Sequence, residues 1–205
     1  MVGLVKALRL VVITDDTRDG LDGLVARATA SVRGGATMIQ VRLKYADART
    51  LTEVTRALVA AVPVPVLVND RADVALAAGA AGVHVGPSDV PVSAIRAMAP
   101  AGFIIGASLG GDDEAENARA ADYVGIGPVF ATGSKTDAGV AIGTTEFARL
   151  LAVGGRPAVG IGGITADTAA AVVAAGGAGV AVIAAVMRAT SPEDAARALR
   201  EAMDR

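Results

Sequence analysis

Short apolar runs alternate with Ala-rich stretches along the whole chain. One unit recurs, with an Ala-rich stretch, a short break and a few residues that end in β-formers. The break is rich in glycine in three of its four copies, which is typical of a tight turn between a helix and a strand. The four copies occupy residues 24–41, 71–85, 117–126 and 165–183.

This pattern predicts eight strands alternating with eight helices. The strands are apolar at consecutive positions, which indicates burial on both faces, as in a parallel sheet. We therefore predict a single (β/α)8 barrel over residues 1–205, with a doubly wound open sheet as the alternative. Predicted strands lie near 8–14, 37–42, 65–69, 82–85, 103–108, 123–127, 157–161 and 179–183, and predicted helices near 20–33, 49–61, 71–78, 92–98, 113–120, 145–153, 165–175 and 193–204.

Composition narrows the class of protein. With 53% hydrophobic and 20% charged residues, the chain is globular throughout. A net charge of −2 with only two tyrosines and three phenylalanines disfavours nucleic acid as a partner. The absence of cysteine excludes disulfides, thiolate zinc sites and a catalytic thiol, and it suits a reducing cytoplasm. The N-terminal stretch does not have the pattern of a signal peptide, and we predict the first strand there.

One segment is long and uncharged enough to span a membrane. It runs from Thr168 to Met187. Gly176, Gly177 and Gly179 interrupt it, with an Ala-rich half before them and a Val/Ile-rich half after them. We therefore predict a buried helix, a turn and a buried strand, and no membrane partner.

Polar residues directly follow several predicted strands. In a (β/α)8 barrel the active site lies at these carboxyl ends. Gln40, Arg42 and Lys44 alternate at the end of strand 2, so their side chains share one side. Two cations and an amide at the barrel mouth favour anion binding over a solvated strand end.

Two carboxylates follow neighbouring strands. Asp70 comes after Asn69 at the end of strand 3, and Asp89 follows strand 4. Because adjacent strands lie about 5 Å apart, the two carboxylates could share a Mg²⁺ ion that bridges to a polyphosphate. The alternatives are a helix N-cap for Asp70 and a turn residue for Asp89.

The single histidine, His84, lies within strand 4. A lone histidine on a strand is more often a packed, hydrogen-bonded residue than a base, and the spacing suggests no serine or cysteine partner for it. We assign it no catalytic role. Ser108, at the end of strand 5, is either a turn former or a phosphate donor.

Two glycine-rich loops complete the predicted site. The loop over residues 127–144 is unusually long and polar, and Thr132, Ser134 and Lys135 make it a candidate phosphate-binding lid. The turn from Gly160 through Gly162 and Gly163 follows strand 7, where barrels bind phosphate on backbone N–H groups. The whole set offers cations, hydroxyls and carboxylates but no nucleophile–base pair.

These residues together resemble the thiamine-phosphate synthase family. The resemblance extends from Gln40-x-Arg42-x-Lys44 through VNDRADVALAAGAAGVHVGPSD (68–89) and YVGIGPVFATGSK (123–135) to VGIGGI (159–164) and GVAVI (179–183). NDRAD followed by GVHVG-x-x-D is fairly specific, whereas GIGGI is shared by many phosphate-binding barrels.

The resemblance implies a reaction and a role for each residue. A pyrimidine diphosphate would lose diphosphate to give a stabilised carbocation, which the nitrogen of a thiazole phosphate captures. The small-molecule partners would be these two substrates, with Mg²⁺ as cofactor. By motif match, the diphosphate would be held by Arg42, Lys44, Asn69, Ser108 and Lys135, of which Arg42, Lys44, Ser108 and Lys135 form the catalytic set. Mg²⁺ would be held by Asp70 and Asp89, and the pyrimidine by Gln40. The thiazole phosphate would be held by Thr132, Ser134, Gly162, Gly163, Ile183 and Ala184.

Some positions depart from the family pattern, and other functions remain open. Thiazole tautomerase, an isomerase on the same barrel that generally lacks the aspartate at position 70, is the second candidate. A non-catalytic sensor of phosphorylated thiamine precursors is the third. The sequence leaves open whether the chain forms a homo-oligomer. Leu43 stands where the family usually has an acidic residue, and Leu109 and Gly110 stand where it has threonine and histidine. Ala131 replaces proline, Ser134 replaces threonine and Ala184 replaces serine.

Overall fold

Eight parallel strands close into a barrel in the computed structural model, which describes residues 2–15, 20–132 and 139–205. Each strand pairs with the next in sequence, and β8 pairs with β1. The predicted barrel is confirmed, and the open sheet is excluded. The strands are β1 (Leu10–Ile13), β2 (Met38–Val41), β3 (Val66–Asn69), β4 (Gly82–Val85), β5 (Ile104–Ser108), β6 (Tyr123–Ile126), β7 (Ala158–Ile161) and β8 (Gly179–Val182).

The helices surround the barrel, and all eight predicted ones occur within a few residues of their predicted bounds. Two further helices, α1 and α9, were not predicted. The helices are α1 (Val2–Ala7), α2 (Gly20–Arg33), α3 (Ala48–Ala61), α4 (Ala72–Ala78), α5 (Val92–Met98), α6 (Ala115–Ala120, preceded by a 3-10 turn at Asp112–Glu114), α7 (Gly143–Gly154), α8 (Ala166–Ala174), α9 (Ala184–Met187) and α10 (Pro192–Asp204).

The strands carry apolar residues on both faces because each strand contributes to two cores. In β1, Val11 and Ile13 lie in the cluster inside the barrel, whereas Leu10 and Val12 lie in the layer between the sheet and the helices. Alternation of side chains along a strand produces this division. The inner cluster fills the barrel below the strand ends, so a site can form only above it.

The uncharged segment over 168–187 contains the predicted helix, turn and strand, as most of α8, a turn and β8, and it ends in the unpredicted helix α9. A Cβ on Gly179 would lie 2.2 Å from Leu8 O, so glycine allows β8 to approach the chain just before β1. Among the described residues, no helix has both the length and the apolar character needed to cross a membrane.

The seam between β8 and β1 is covered by the C-terminal helix. Helix α10 packs against α2 and α8. Arg9, just before β1, pairs with Asp204 at 2.8 Å and donates to Met203 O, and Arg33 pairs with Glu193 at 2.9 Å. Contacts between the two ends of the chain therefore close the barrel.

Candidate active site

Two adjoining cavities open at the carboxyl ends of the strands. We call the cavity of about 490 Å³ next to β2, β3 and β4 the polar pocket, and the cavity of about 580 Å³ next to β6, β7 and β8 the glycine pocket. The two pockets share part of their lining, which we call the common wall, so two groups bound side by side could approach each other there. That wall consists of Pro87, Ser108, Gly125, Ile161 and Ala181.

The polar pocket brings together most of the charged and amide residues predicted from strands 2 and 3. Gln40, Arg42, Lys44, Asn69 and Asp70 all line it. Gln40 is buried, and its Nε2 donates to Asn69 Oδ1 at 3.1 Å. Since β2 and β3 are neighbours in the sheet, their ends present two cations and two amides to one cavity.

Thr14 fixes the end of β2, and sequence reasoning missed it. It is fully buried. The N–H of Arg42 donates to Thr14 Oγ1 at 2.8 Å, and Thr14 Oγ1 donates to Arg42 O at 3.0 Å. The signal in the sequence was a hydroxyl residue at the end of an otherwise aliphatic strand. Thr14 therefore holds the backbone from which the Arg42 side chain enters the pocket.

Asp70 has an unusual backbone conformation. Its φ is +64°, the only positive value at a non-glycine residue in the described part of the chain, and its N–H donates to His84 O at 2.8 Å. The N-cap position of α4 belongs to Arg71. The interpretation of Asp70 as a helix N-cap is therefore wrong. Aspartate is among the residues that tolerate this region best, and strained backbone is often associated with functional sites.

Asp89 follows β4 in a tight turn. Its Oδ2 accepts from Gly86 N at 2.7 Å, so the turn role is observed. Carboxylate oxygens such as those of Asp70 and Asp89 are hard ligands of the kind that Mg²⁺ takes. Within 2–15, 20–132 and 139–205, no three His, Asp or Glu side chains come together as a metal site. Asp70 lines the polar pocket, whereas Asp89 is not part of its lining. Carboxylates of this kind suit Mg²⁺, since this ion usually completes its shell with water and substrate phosphate, and a shared ion at these two residues stays a prediction.

His84 contacts residues on both following strands. Its Nδ1 lies 3.0 Å from Tyr123 Oη, and its Nε2 lies 3.4 Å from Ser108 Oγ. The prediction of a packed, hydrogen-bonded histidine is confirmed, and Ser108 is a hydroxyl partner that the spacing in the sequence did not suggest. The register of β4 and β5 places Gly106 beside His84, so Ser108 follows two residues above it. Only pairing along the sheet reveals this contact.

The glycine pocket takes part of its lining from a tight turn of two glycines. Gly162 and Gly163 have φ of +90° and +66°. A Cβ on Gly162 would lie 2.5 Å from Pro128 Cβ, and one on Gly163 would lie 2.4 Å from Ala131 O. The loop after β6 therefore packs directly on this turn, and Phe130 N donates to Gly162 O at 3.0 Å. A larger residue at either glycine would push the two loops apart.

The remaining predicted residues of this pocket are only partly described. Thr132 lines the cavity, as do Ile183 and Ala184 at the start of α9. Ser134 and Lys135 lie outside the described residues, so their predicted place in the site stays a prediction.

Leu109 shows how one departure from the family pattern is accommodated. It is buried, and a Cβ on Gly154 in α7 would lie 2.8 Å from Leu109 Cδ2. The side chain thus packs against the helix layer. In the same loop, Glu114 Oε2 accepts from Gly110 N at 2.6 Å. Leu109 therefore has a packing role, while Ser108 beside it faces both pockets.

Comparison with known families gives one consistent result. A family model described as thiamine monophosphate synthase matches residues 10–186. The chain is 42% identical over 201 residues to a thiamine-phosphate synthase of Xanthobacter autotrophicus, covering 96% of this chain and 95% of that one. It is 43% identical over 198 residues to a thiamine-phosphate synthase of Azorhizobium caulinodans, covering 94% and 93%.

Solved structures agree with these sequence relatives. Thiamine phosphate pyrophosphorylase from Pyrococcus furiosus superimposes with a TM-score of 0.86 at 38% identity and covers 98% of both chains. A 3-hexulose-6-phosphate synthase superimposes with a TM-score of 0.74 at 22% identity, covering 95% of this chain and 99% of that one. At that identity the second likeness concerns the barrel fold alone.

Proposed function

Because this chain belongs to the thiamine monophosphate synthase family, we propose that it joins an aminopyrimidine to a thiazole phosphate. The aminopyrimidine is supplied with a diphosphate on its methylene carbon. The products are thiamine phosphate and diphosphate, so the enzyme is a transferase of thiamine biosynthesis. The observation that carries the proposal is the pair of pockets that meet at Ser108. Two phosphorylated substrates can occupy them with their reacting ends at the common wall.

The polar pocket suits the pyrimidine diphosphate. Arg42 and Lys44 supply positive charge for the diphosphate, and Asn69 and Ser108 supply neutral donors. Gln40 is buried beside Asn69 and offers an amide to the pyrimidine ring. We also retain Lys135 as a diphosphate ligand, on the strength of the motif alone.

The glycine pocket suits the thiazole phosphate. Gly162 and Gly163 line this cavity and have no side chain to cover their backbone N–H groups, and Ile183 and Ala184 at the start of α9 line it too. Thr132 adds a hydroxyl. We also retain Ser134 as a thiazole-phosphate ligand, on the motif alone. Backbone N–H groups at turns of this kind bind phosphate oxygens.

The chemistry needs positioning and charge stabilisation. The bond between the pyrimidine methylene carbon and the diphosphate oxygen breaks, and its electron pair leaves with diphosphate. The thiazole nitrogen then forms a bond to the methylene carbon. Arg42, Lys44 and Ser108 stabilise the charge that grows on the leaving oxygen, which is the main contribution asked of the protein.

We propose Mg²⁺ as the cofactor, held by Asp70 and Asp89. These carboxylates follow neighbouring strands and supply oxygen donors only, which suits this ion. When bound, Mg²⁺ would neutralise part of the diphosphate charge and make it a better leaving group. An ion held by Asp70 in the polar pocket would add its positive charge to that of Arg42 and Lys44, which line the same cavity.

One incubation tests the proposal. Purified protein, Mg²⁺ and the two substrates should yield thiamine phosphate and diphosphate in equal amounts, and excess chelator should abolish the yield. Conversion of a thiazole tautomer without coupling would instead support the isomerase. Tight binding of both substrates without any product over a long incubation would support the sensor. A yield unaffected by chelator would refute the magnesium part.

The cytoplasm is the compartment we propose. A chain without cysteine gains nothing from an oxidising environment, and both proposed substrates are small phosphorylated metabolites. Fractionation of cells that express the tagged chain would check this, since recovery with an extracytoplasmic fraction would contradict it.

A further inference from the structure

Tyr123 has its hydroxyl group inside the barrel. The residue is 1% exposed and belongs to the inner apolar cluster. Burial raises the pKa of this phenol far above its usual range, so it carries its proton. In the described part of the chain, the hydrogen-bond partner of Tyr123 Oη is His84 Nδ1 at 3.0 Å.

That single partner fixes the direction of the hydrogen bond. If Nδ1 carried a proton, it would donate to Tyr123 Oη, and the phenol proton would be left buried without an acceptor. A buried donor without an acceptor is unfavourable, because it has lost its hydrogen bonds to water and gained none in the protein. If Tyr123 donates instead, Nδ1 is the unprotonated nitrogen of a neutral imidazole, and Nε2 carries the proton.

The barrel provides a fitted space for this imidazole. A Cβ on Gly106 would lie 2.5 Å from His84 Nδ1 and 2.3 Å from Tyr123 Cζ. A Cβ on Gly125 would lie 3.1 Å from His84 Cε1. Glycine on β5 and β6 thus leaves room for both rings, and the ring of His84 is kept where its Nε2 faces Ser108 Oγ at 3.4 Å.

We propose that Tyr123 and His84 are positioning residues that set the direction of the Ser108 hydroxyl. Tyr123 donates to His84 Nδ1, His84 Nε2–H donates to Ser108 Oγ, and the Ser108 proton is thereby directed into the cavity. Ser108 then acts as a donor to an anionic oxygen and cannot be activated as a nucleophile by His84, since Nε2 has no free lone pair. Catalytic hydrogen bonds are often long without ligand and shorten when it binds.

This inference rests on the proposed function for its consequence in catalysis. A hydroxyl that donates to the leaving diphosphate oxygen helps most when negative charge has grown there. Loss of the Tyr123 hydroxyl should therefore lower kcat more than it raises KM for the pyrimidine diphosphate.

The first test needs no substrate. Because His84 is the only histidine, its imidazole nitrogens give unambiguous signals in a ¹⁵N-labelled protein. We expect an unprotonated Nδ1 and a protonated Nε2 in the wild type, and a mixture of the two neutral tautomers in Tyr123→Phe. The matched control is Tyr45→Phe, because Tyr45 is 87% exposed and the chain has two tyrosines. It should leave the imidazole signals unchanged. A wild-type protein with Nδ1 protonated, or with both nitrogens protonated, would overturn the proposal.

The second test separates positioning from a purely structural role. We expect Tyr123→Phe to lower kcat about fivefold to tenfold, as the loss of one hydrogen bond predicts, with little change in KM. In a Ser108→Ala background, Tyr123→Phe should alter kcat by less than about twofold, because the Ser108 hydroxyl through which Tyr123 acts is absent. Equal effects in both backgrounds would show that Tyr123 acts through packing.

A third variant pair tests the imidazole itself. His84→Gln keeps an N–H donor near Ser108, whereas His84→Leu does not. We expect His84→Gln to retain more turnover than His84→Leu, and equal losses would count against the donor role. If the protein proves not to couple the two substrates, binding of inorganic diphosphate with Mg²⁺ replaces kcat as the readout. The imidazole spectrum still tests the inference by itself, so its failure is distinct from failure of the proposed function.

Discussion

The two pockets at the barrel mouth are built by opposite means. The polar pocket uses side chains, with Gln40, Arg42, Lys44, Asn69 and Asp70 projecting from the ends of β2 and β3. The glycine pocket relies on main chain at the turn of Gly162 and Gly163, the proposed phosphate site, because these residues have no side chain. One half of the site is therefore defined by charge and the other by available space.

This difference determines which substitutions damage each half. In the polar pocket, a change that keeps the shape but removes charge should be the most harmful. In the glycine pocket, a change that adds a single methyl group should be the most harmful, although no charge is altered. Ser108 belongs to both pockets, so it should respond to changes in either.

The largest effect is expected for Asp70→Asn. Asparagine tolerates the left-handed backbone about as well as aspartate, so the fold should survive. If Asp70 binds Mg²⁺, turnover should fall about 100-fold or more, and extra Mg²⁺ should partly restore it. Steady-state rates across a Mg²⁺ titration measure both effects, and Asp89→Asn should behave alike.

The matched control for Asp70→Asn is Asp73→Asn. Asp73 is exposed, and Arg71 lowers the pKa of its carboxyl through the hydrogen bond at 2.5 Å. Exposed ion pairs of this kind contribute little to the free energy of unfolding. The turnover of the Asp73→Asn protein should stay within about twofold of the wild type. An Asp70→Asn protein that matches this control would mean that the carboxylate at position 70 does not bind the ion.

Gly163→Ala should have the next largest effect. The added Cβ would meet Ala131 O at 2.4 Å, so the loop after β6 must move. Displacement of a phosphate site by about 1 Å can cost up to about 100-fold, and we expect the loss mainly in KM for the thiazole phosphate. Substrate-saturation kinetics with each substrate in turn would localise the loss.

Gly155→Ala is the control for backbone strain. Gly155 also has a positive φ, +61°, but nothing lies within 4 Å of its added Cβ, and it ends α7 away from both pockets. It should lower the free energy of unfolding by about 1 kcal/mol and leave KM unchanged. If the two variants have the same KM, space at Gly163 does not define the pocket.

Thr14→Val should have a moderate effect on stability and on the polar pocket alone. Valine keeps the shape but leaves Arg42 N and Arg42 O without their shared partner, which should cost about 1–3 kcal/mol in urea unfolding. Thr14→Ser, which keeps the hydroxyl, should recover most of the loss. A rise in KM for the thiazole phosphate would contradict the separation of the two pockets.

The smallest effect concerns the caps of the helices that flank the two pockets. Asp47, after β2, accepts from Thr50 N at 2.8 Å at the start of α3, and this backbone hydrogen bond lowers the pKa of its carboxyl. Its contribution is therefore present above the unfolded-state pKa and is lost as the pH falls through the lowered native pKa. The start of α8 uses hydroxyls instead, since Thr165 N donates to Thr168 Oγ1 at 2.9 Å.

Acid should distinguish these two caps. The stability difference between the wild type and Asp47→Ala should shrink as the pH is lowered through the acidic range, whereas the difference for Thr168→Val should not change. Urea unfolding at a series of pH values measures both differences. A constant difference for Asp47→Ala would mean that its carboxylate does not stabilise the helix start.

The order of the strands was predictable because each has a continuous apolar run and each helix an Ala-rich one. Helix α1 was missed because a short apolar stretch such as residues 2–7 has no period that separates a helix from a strand. Helix α9 was missed for a similar reason, since Ala184 to Met187 continue the apolar run of β8 without a break.

The site was predictable where its residues follow strands directly. Gln40, Arg42, Lys44, Asn69 and Asp70 converge because parallel strands end on one side of a barrel. The contact of His84 with Ser108 and Tyr123 could not be found in this way, since it depends on the register between three strands. The left-handed backbone at Asp70 was hidden too, because a sequence does not show φ.

The seam between β1 and β8 has a consequence for how the protein is made. Arg9 and Asp204 are 195 residues apart in sequence, so the contacts that close the barrel become available only after β8 and α10 have been synthesised. Until β8 and α10 leave the ribosome, one edge of β1 has no neighbour to pair with, and unpaired edges recruit other chains. Ribosome-bound nascent chains that stop before β8 should therefore depend on chaperones far more than chains that include β8 and α10.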